Sequence, residues 1–380
     1  MPADSGLPLT LRHDDFDAFF DVPFRVYPPD SLYVSPLKSD LRRALDPAAN
    51  PLFGAAGRGV RRVITAHRGA APVGRIVAHV HAASNEAYGD RRGSFGFFDC
   101  ADDLDVARAL LGAAEAFARS QGCERLVGNF NLTAMQQLGV LTQGFEVAPY
   151  SDMHYNPPHI PRLLEACGFA PIFPVSTFEL DLRGFDPDAL LTPRVTARLA
   201  DPALRWEPLR TRDFARVLEN VRVVLNDGFR DNPMFVPLTD GEMLFQAKDL
   251  SHVLDPRITS LVFDGEGPAG VVLCIPDLNP MLRAMRSRLS ITAPWYLLMH
   301  RLKRRRAVII FYSVAQRAQG NGLNGAMLHR VTAALRRHGY TSLGITWIAD
   351  VNGASLRQVE RLGARRIHRL HLFAKPLGDA

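Results

Sequence analysis

From Val314 to Asn324 the chain reads V-A-Q-R-A-Q-G-N-G-L-N, directly after the apolar run A-V-I-I-F-Y of residues 307–312. Gly320 and Gly322 make this stretch either a cradle for phosphate groups or only a glycine-rich turn. Glycines let the backbone approach an anion without a side chain in the way. Amides at the start of a helix have no intrahelical acceptor and carry the positive end of the helix dipole, so they can hold a pyrophosphate. An amphipathic segment follows, which places the loop between a strand and a helix.

Groups that could move a proton lie nearby in sequence. Asp350 ends the run T-W-I-A-D and stands two residues before Asn352. A carboxylate there could accept a proton from an attacking amine, or be a solvated loop aspartate that helps cap the next helix. Tyr312 offers a phenol on the strand before the loop, and His329, within the following helix, is expected to face solvent or pack.

The elements that position these residues occur twice. Residues 63–81 and 260–275 both read as two β-branched-rich strands around a glycine turn, with Gly74 and Gly270 196 positions apart. Asn156 and Asn352, again 196 apart, each precede a short amphipathic helix stopped by glycine, Gly168 or Gly363. Two matches in one order at one offset favour a tandem duplication, with its boundary in the polar stretch F-D-P-D-A-L-L-T-P-R-V-T of residues 185–196. In the second half we expect strands near 259–264, 269–275, 307–315 and 342–349, and helices near 322–338 and 353–362. In the first half the long helix spans Asp105 to Gly122.

Arg317-Ala318-Gln319-Gly320-Asn321-Gly322 fits the [Q/R]-x-x-G-x-[G/A] motif of the GNAT acyltransferases, and the surrounding order of elements resembles that fold. The resemblance covers both halves. It implies an α/β protein of two tandem GNAT-like acyl-CoA N-acyltransferase folds, each a mixed central sheet flanked by helices. Residues 1–185 would be a degenerate N-terminal domain and 196–380 a C-terminal domain with the acyl-CoA loop. Acyl-CoA would be a co-substrate held by Val314, Arg317, Gln319, Gly320, Asn321, Gly322 and Asn352, with no metal.

Two departures bear on the chemistry. Where the C-terminal half has glycines, the N-terminal half has Asp99, Asp102, Asp103 and Asp105, which suit a helix start but repel a second anion. That half is expected to bind no coenzyme A in this manner; the excursion Gly128 to Leu141 either shapes the acceptor pocket or packs on its own core. Many GNAT enzymes also carry a tyrosine on the Asn-led helix that protonates the departing thiolate. Seven residues after Asn352 this chain has Val359. Tyr312 and Asp350 are the catalytic candidates; otherwise water or another group protonates the thiolate, or the C-terminal half binds without catalysing.

The 380 residues exceed one ordinary core and carry a formal charge of +6, which leaves nucleic acid, an anionic membrane or a polyanionic cofactor as partners. The N-terminus has no basic n-region or apolar h-region and no apolar run reaches bilayer length, so a cytoplasmic protein is expected. Four scattered cysteines form no C-x-x-C pair, which argues against zinc or a disulfide framework. Residues 281–306 carry eight Lys or Arg and no acid, interleaved with Met, Leu, Trp295 and Tyr296, with Pro294 dividing two short helices. This is the signature of a segment lying in an anionic membrane interface, peripheral to the inner membrane. A packed hairpin with a solvated basic face and a funnel for coenzyme A phosphates are rivals; nucleic acid is disfavoured by the lack of any recognition motif.

Together these imply an enzyme that moves an acyl group from acyl-CoA to an amine. A lipid amine is compatible with the basic apolar segment, as in the bacterial ceramide synthases, tandem GNAT-like proteins that acylate a sphingoid base. A small-molecule or protein N-acetyltransferase and a non-catalytic acyl-CoA-binding regulator are the alternatives.

Overall fold

The computed structural model describes residues 7–55, 58–209, 214–232, 234–247 and 253–378. The N-terminal half contributes strands β1 (Leu9–His13), β2 (Gly59–Arg68), β3 (Ala71–His81), β4 (Arg92–Cys100), β5 (Arg125–Gly128), β6 (Val140–Gln143) and β7 (Ala170–Asp181). The C-terminal half contributes β8 (Arg205–Glu207), β9 (Ser260–Asp264), β10 (Gly267–Pro276), β11 (Arg306–Val314), β12 (Ser342–Ala349) and β13 (Arg365–Pro376). The helices are α1 (Phe16–Val26), α2 (Lys38–Leu45), α3 (Ala82–Tyr88), α4 (Leu104–Ser120), α5 (His159–Ala166), α6 (Pro193–Leu199), α7 (Phe214–Gly228), α8 (Asp240–Ala247), α9 (Asn279–Ala284), α10 (Ala293–Lys303), α11 (Leu323–Arg337) and α12 (Gly353–Arg361).

All thirteen strands join one sheet in the order β1-β2-β3-β4-β5-β13-β7-β12-β11-β10-β9-β8, with β6 also on β13. The last strand of each half is exchanged. β13 lies beside β5, Phe373 opposite Gly128, while β7 lies beside β12, Leu180 opposite Leu343. The exchanged strands pair with each other at the centre, from Arg365 opposite Glu179 to Ala374 opposite Ala170. Pairing is antiparallel except for β4–β5 and β11–β12. Those are the pairs joined by the long helices α4 and α11, as parallel neighbours need a crossover.

The duplicated glycines do the same physical work in both halves. A Cβ on Gly74 would lie 2.7 Å from Leu110 and 2.8 Å from Val106 of α4; one on Gly270 would lie 2.5 Å from Met327 of α11. Each lets the long helix pack onto its hairpin, and two apolar cores form there, around Leu110 and around Met327. Gly168 and Gly363 have φ of +85° and +68°, the left-handed stop after α5 and α12.

The paired asparagines differ. Asn352 caps α12, its side chain accepting from Ser355 N at 3.1 Å. Asn156 is fully buried and instead accepts from Leu141 N at 2.7 Å while its amide donates to Leu141 O at 3.3 Å, which ties down β6. Pro157 and Pro158 follow it, and neither has an N–H for a cap to receive.

Candidate functional site

Strands β11 and β12 pair only from Arg306 opposite Ser342 to Ile309 opposite Ile345. Beyond that point they separate, and a cleft of about 550 Å³ opens between them. Its walls are the freed ends of both strands, the start of α11 and one face of α12. Further lining comes from the N-terminal half, through Ala134, Met135, Gln136 and Asp152, and from Phe229, Asp231 and Asn232 after α7. Splayed strands leave backbone groups without a ladder partner, which suits them to hold a polarised carbonyl.

Val314, Gln319, Gly320 and Asn352 line this cleft, whereas Arg317, Asn321 and Gly322 do not. Gly320 has φ +74° with nothing within 4 Å of a Cβ placed on it, so open space lies in front of its backbone. Among the described residues the amides of Gly320, Asn321 and Gly322 have no protein acceptor. Gly322, at φ +94°, serves packing: its Cβ would lie 3.0 Å from the backbone of Arg194 in α6. Asn321 accepts from Leu323 N at 3.1 Å and starts α11. The Arg317 side chain turns away, bonding Asp264 at 2.9 Å and the Pro268 carbonyl at 3.1 Å, so it braces the loop against the β9–β10 hairpin. Gln319 donates to Val314 O at 3.1 Å and closes the turn.

Tyr312 reaches the cleft from β11. Its hydroxyl donates to the Asn324 carbonyl in the first turn of α11 and accepts from the Gln358 amide of α12 at 3.2 Å. Burial pushes its pKa up, so the phenol is kept protonated. Val359 lies beside Gln358 on the cleft wall and is itself buried.

Asp350 does not line the cleft. Both its oxygens are taken by Arg369 of β13, at 2.6 and 2.5 Å, and its N–H donates to Pro174 O. A carboxylate gripped bidentately by guanidinium is held in its ionised form and its orientation is fixed on Arg369 rather than on the cleft, which speaks against the expected general base there. His329 bonds Asp188 at 2.9 Å on the outer face of α11.

The cleft contains two carboxylates that sequence reading passed over, Asp231 after α7 and Asp152. Asp152, in the loop Tyr150–Tyr155, projects from the N-terminal half into the cleft of the C-terminal half. Its backbone is left-handed, φ +67°, and burial pushes its pKa well up. In sequence it is an unremarked loop aspartate; its role appears only when the halves meet.

The N-terminal half has the same splay, since β4 and β5 pair only to Phe95 opposite Gly128, but there the excursion fills the wedge. Phe130 N donates to Phe95 O at 2.7 Å and Asn131 accepts from Phe97 N at 2.7 Å. A Cβ on Gly96 would sit 1.7 Å from Phe130 O, which shows how tightly the plug is seated. At the start of α4, Asp103 accepts from Asp105 N and Val106 N and pairs with Arg68 at 2.6 Å. A carboxylate already occupies the position an anionic phosphate would need. The excursion thus packs on its own core and also shapes the neighbouring cleft with its tip.

Residues 281–306 form α9 and α10 joined by a short loop; Pro294 lies in the first turn of α10, where its missing N–H costs nothing. Leu289, Ile291, Trp295, Leu298 and Leu302 are exposed, Ile291 by 98% and Leu302 by 70%. Five of the eight cations are engaged. Arg288 pairs with Asp21, Arg304 with Asp255 and Arg306 with Asp277, Arg283 donates to the Asp30 and Ser31 carbonyls, and Arg286 lies over the Phe24 ring. Arg301, Lys303 and Arg305 are exposed and make no ion pair among the described residues.

No family model matches the chain. Over 371 residues it is 29% identical to the bacterial ceramide synthase of Caulobacter vibrioides, covering 94% of each chain. It is 26% identical over 381 residues to Protein YghO of Escherichia coli K12, covering 97% of this chain and 94% of that one. Among solved structures, a tandem GNAT protein from the clavulanic acid biosynthesis pathway superposes with a TM-score of 0.58 at 15% identity, covering 98% of this chain and all of that one. The chain has the tandem GNAT fold. A GCN5-related N-acetyltransferase from Sphaerobacter thermophilus matches over 98% of both chains, with a TM-score of 0.53 and 12% identity. In this tandem fold the open wedge and the glycine loop belong to the C-terminal half, and the N-terminal wedge is plugged.

Proposed function

We propose that the protein transfers a long-chain acyl group from acyl-CoA to the amine of a sphingoid base, a ceramide-forming reaction carried out at an anionic membrane surface. Two units are involved, residues 1–185 and 196–380, with the second carrying the acyl-CoA site. The pyrophosphate lies against the free amides of Gly320, Asn321 and Gly322, and the thioester reaches into the splay between β11 and β12. Tyr312, held between α11 and α12, protonates the leaving thiolate in place of the tyrosine that Val359 replaces.

The structural observation that supports a lipid acceptor is the exposed row Leu289, Ile291, Trp295, Leu298 and Leu302 beside three unpaired cations. Exposed apolar groups of that size mark an interaction surface. Insertion in a membrane interface removes them from water at about 25 cal/mol per Å². Each nearby cation adds up to ~1 kcal/mol on an anionic surface. Among the described residues no helix is long and apolar enough to cross a membrane. The likeness to a bacterial ceramide synthase over nearly the whole chain supports the same class.

Mass spectrometry of lipids and polar amines from cells with and without the gene tests this reading. Loss of an N-acylated long-chain base is expected; loss of a polar N-acyl product instead assigns a soluble acceptor.

A further inference from the structure

We infer that Asp152, supplied by the N-terminal half, receives the acceptor's ammonium in the cleft of the C-terminal half and takes its proton. The inference rests on the acyl-transfer reading above but not on which amine is used.

Its neighbours in the chain are anchored on both sides. Ser151 donates from its N–H and its hydroxyl to Asp277, at 2.9 and 3.0 Å, and its oxygen accepts from Leu278 N at 2.7 Å. The Tyr150 hydroxyl donates to Glu179 at 2.6 Å, and its ring lies 3.8 Å from the Arg306 guanidinium. A Cβ on Gly344 of β12 would fall 2.6 Å from that ring, so only glycine lets the tyrosine seat there. Met153 and His154 are buried on the following side. Asp152 is thereby fixed in a left-handed conformation that costs a non-glycine residue free energy, and such strain persists where surrounding contacts impose it.

The other carboxylates around the cleft are occupied. Asp277 is paired with Arg306, Glu179 accepts from Tyr150 and Arg365, Asp350 is gripped by Arg369, and Asp231 accepts from Gln316. Among the described residues Asp152 alone of this group has no protein donor. The cleft lining holds two carboxylates, Asp152 and Asp231, and no Lys, Arg or His. Such a lining offers an arriving cation carboxylates with no competing positive side chain. An arriving ammonium offsets the desolvation that an ionised Asp152 otherwise bears alone, and burial, which raises the carboxyl pKa, makes it a stronger base than a solvated one.

The proton balance follows. An acceptor R–NH3+ gives one proton to the Asp152 carboxylate, leaving a neutral amine. Its nitrogen forms the bond to the thioester carbon as the C–S bond breaks. The nitrogen sheds its second proton, the sulfur takes one from Tyr312, and one net proton per turnover goes to solvent.

The test compares wild type with Asp152→Asn, which keeps the side-chain shape and tolerates the left-handed backbone. Thiol release is followed from palmitoyl-CoA with a sphingoid base and with short primary alkylamines. A fall in kcat of about 100-fold or more is expected, with coenzyme A binding by calorimetry changed less than about 2-fold. Asp152→Gly relieves the strained backbone and keeps the test open should the first variant misfold; added formate is expected to restore part of its rate. Wild-type release with kcat of Asp152→Asn within about 3-fold overturns the inference alone. An absence of formate rescue joined to a parallel loss of coenzyme A binding overturns it in favour of a structural role. No thiol release from the wild type with any amine overturns the acyl-transfer reading and this inference with it.

Discussion

Gln358 of α12 donates its side-chain amide to the hydroxyl of Tyr312 on β11 at 3.2 Å. A strand phenol therefore reaches the helix on which this chain has Val359. The same hydroxyl donates to the Asn324 carbonyl, so it bridges the first turn of α11 to α12.

If that phenol protonates the thiolate, Tyr312→Phe lowers kcat by about 10- to 100-fold. Acyl-CoA affinity should change little, and the lost hydrogen bonds should cost about 1 kcal/mol each in stability. Single-turnover thiol release with calorimetry checks this; a wild-type rate assigns the proton to water.

Gly320 and Gly322 should respond differently. Gly320→Val fills the open space before the free amides and is expected to weaken coenzyme A binding by at least about 10-fold, with a left-handed backbone penalty of about 1–2 kcal/mol. Gly322→Val meets the Arg194 backbone and should lose more stability. Melting curves with binding isotherms separate the two; unchanged coenzyme A affinity in Gly320→Val removes the cradle.

Much of this site was legible because its signals are local. The strand-loop-helix around Gly320, the capped helix at Asn352 and the glycines that seat both long helices lie where the periodicity and turn residues put them. The exchange of β7 and β13 was not legible. Both are runs whose apolar residues fit either neighbour, and nothing local says which sheet they complete. Nor was the partner of Asp350 legible, the carboxylate nearest the glycine loop in sequence, because Arg369 reaches it from β13. The same blindness hid Asp152, which meets the cleft only through contacts between halves. Pro157 and Pro158 were visible and leave only the His159 amide for a cap at Asn156 to receive.

Asp152 also gives a pH dependence whose sign is fixed. Its carboxyl pKa is raised in the folded protein above the ordinary 3.8, so the folded state holds a proton that the unfolded chain has lost. Stability from this group is complete below the ordinary value and falls as pH rises toward the raised one. Asp152→Asn cannot ionise, so at neutral pH its melting temperature should match or exceed that of the wild type, with a flatter pH profile. Melting scans across acid to neutral pH check this; a variant less stable at neutral pH would contradict the sign.

For membrane contact, the informative change is Arg301, Lys303 and Arg305 together to Gln. Arg304 and Arg306 must be kept, because they pair with the buried Asp255 and Asp277, and removing them would take a counter-charge from each. The triple variant should lose up to ~3 kcal/mol of affinity for anionic liposomes at low salt, and wild-type binding should weaken as ionic strength rises. Co-sedimentation measures both. A wild type that stays in the supernatant at low salt makes the segment a packed hairpin with a solvated basic face.

The most direct measurement incubates the purified chain with a long-chain acyl-CoA and a sphingoid base in anionic liposomes, following free thiol and N-acylated base together. The expected result is stoichiometric release of coenzyme A and formation of the N-acyl product, both dependent on the two substrates. Release with short amines but none with the sphingoid base would contradict the lipid assignment, and no release with any amine would contradict acyl transfer itself.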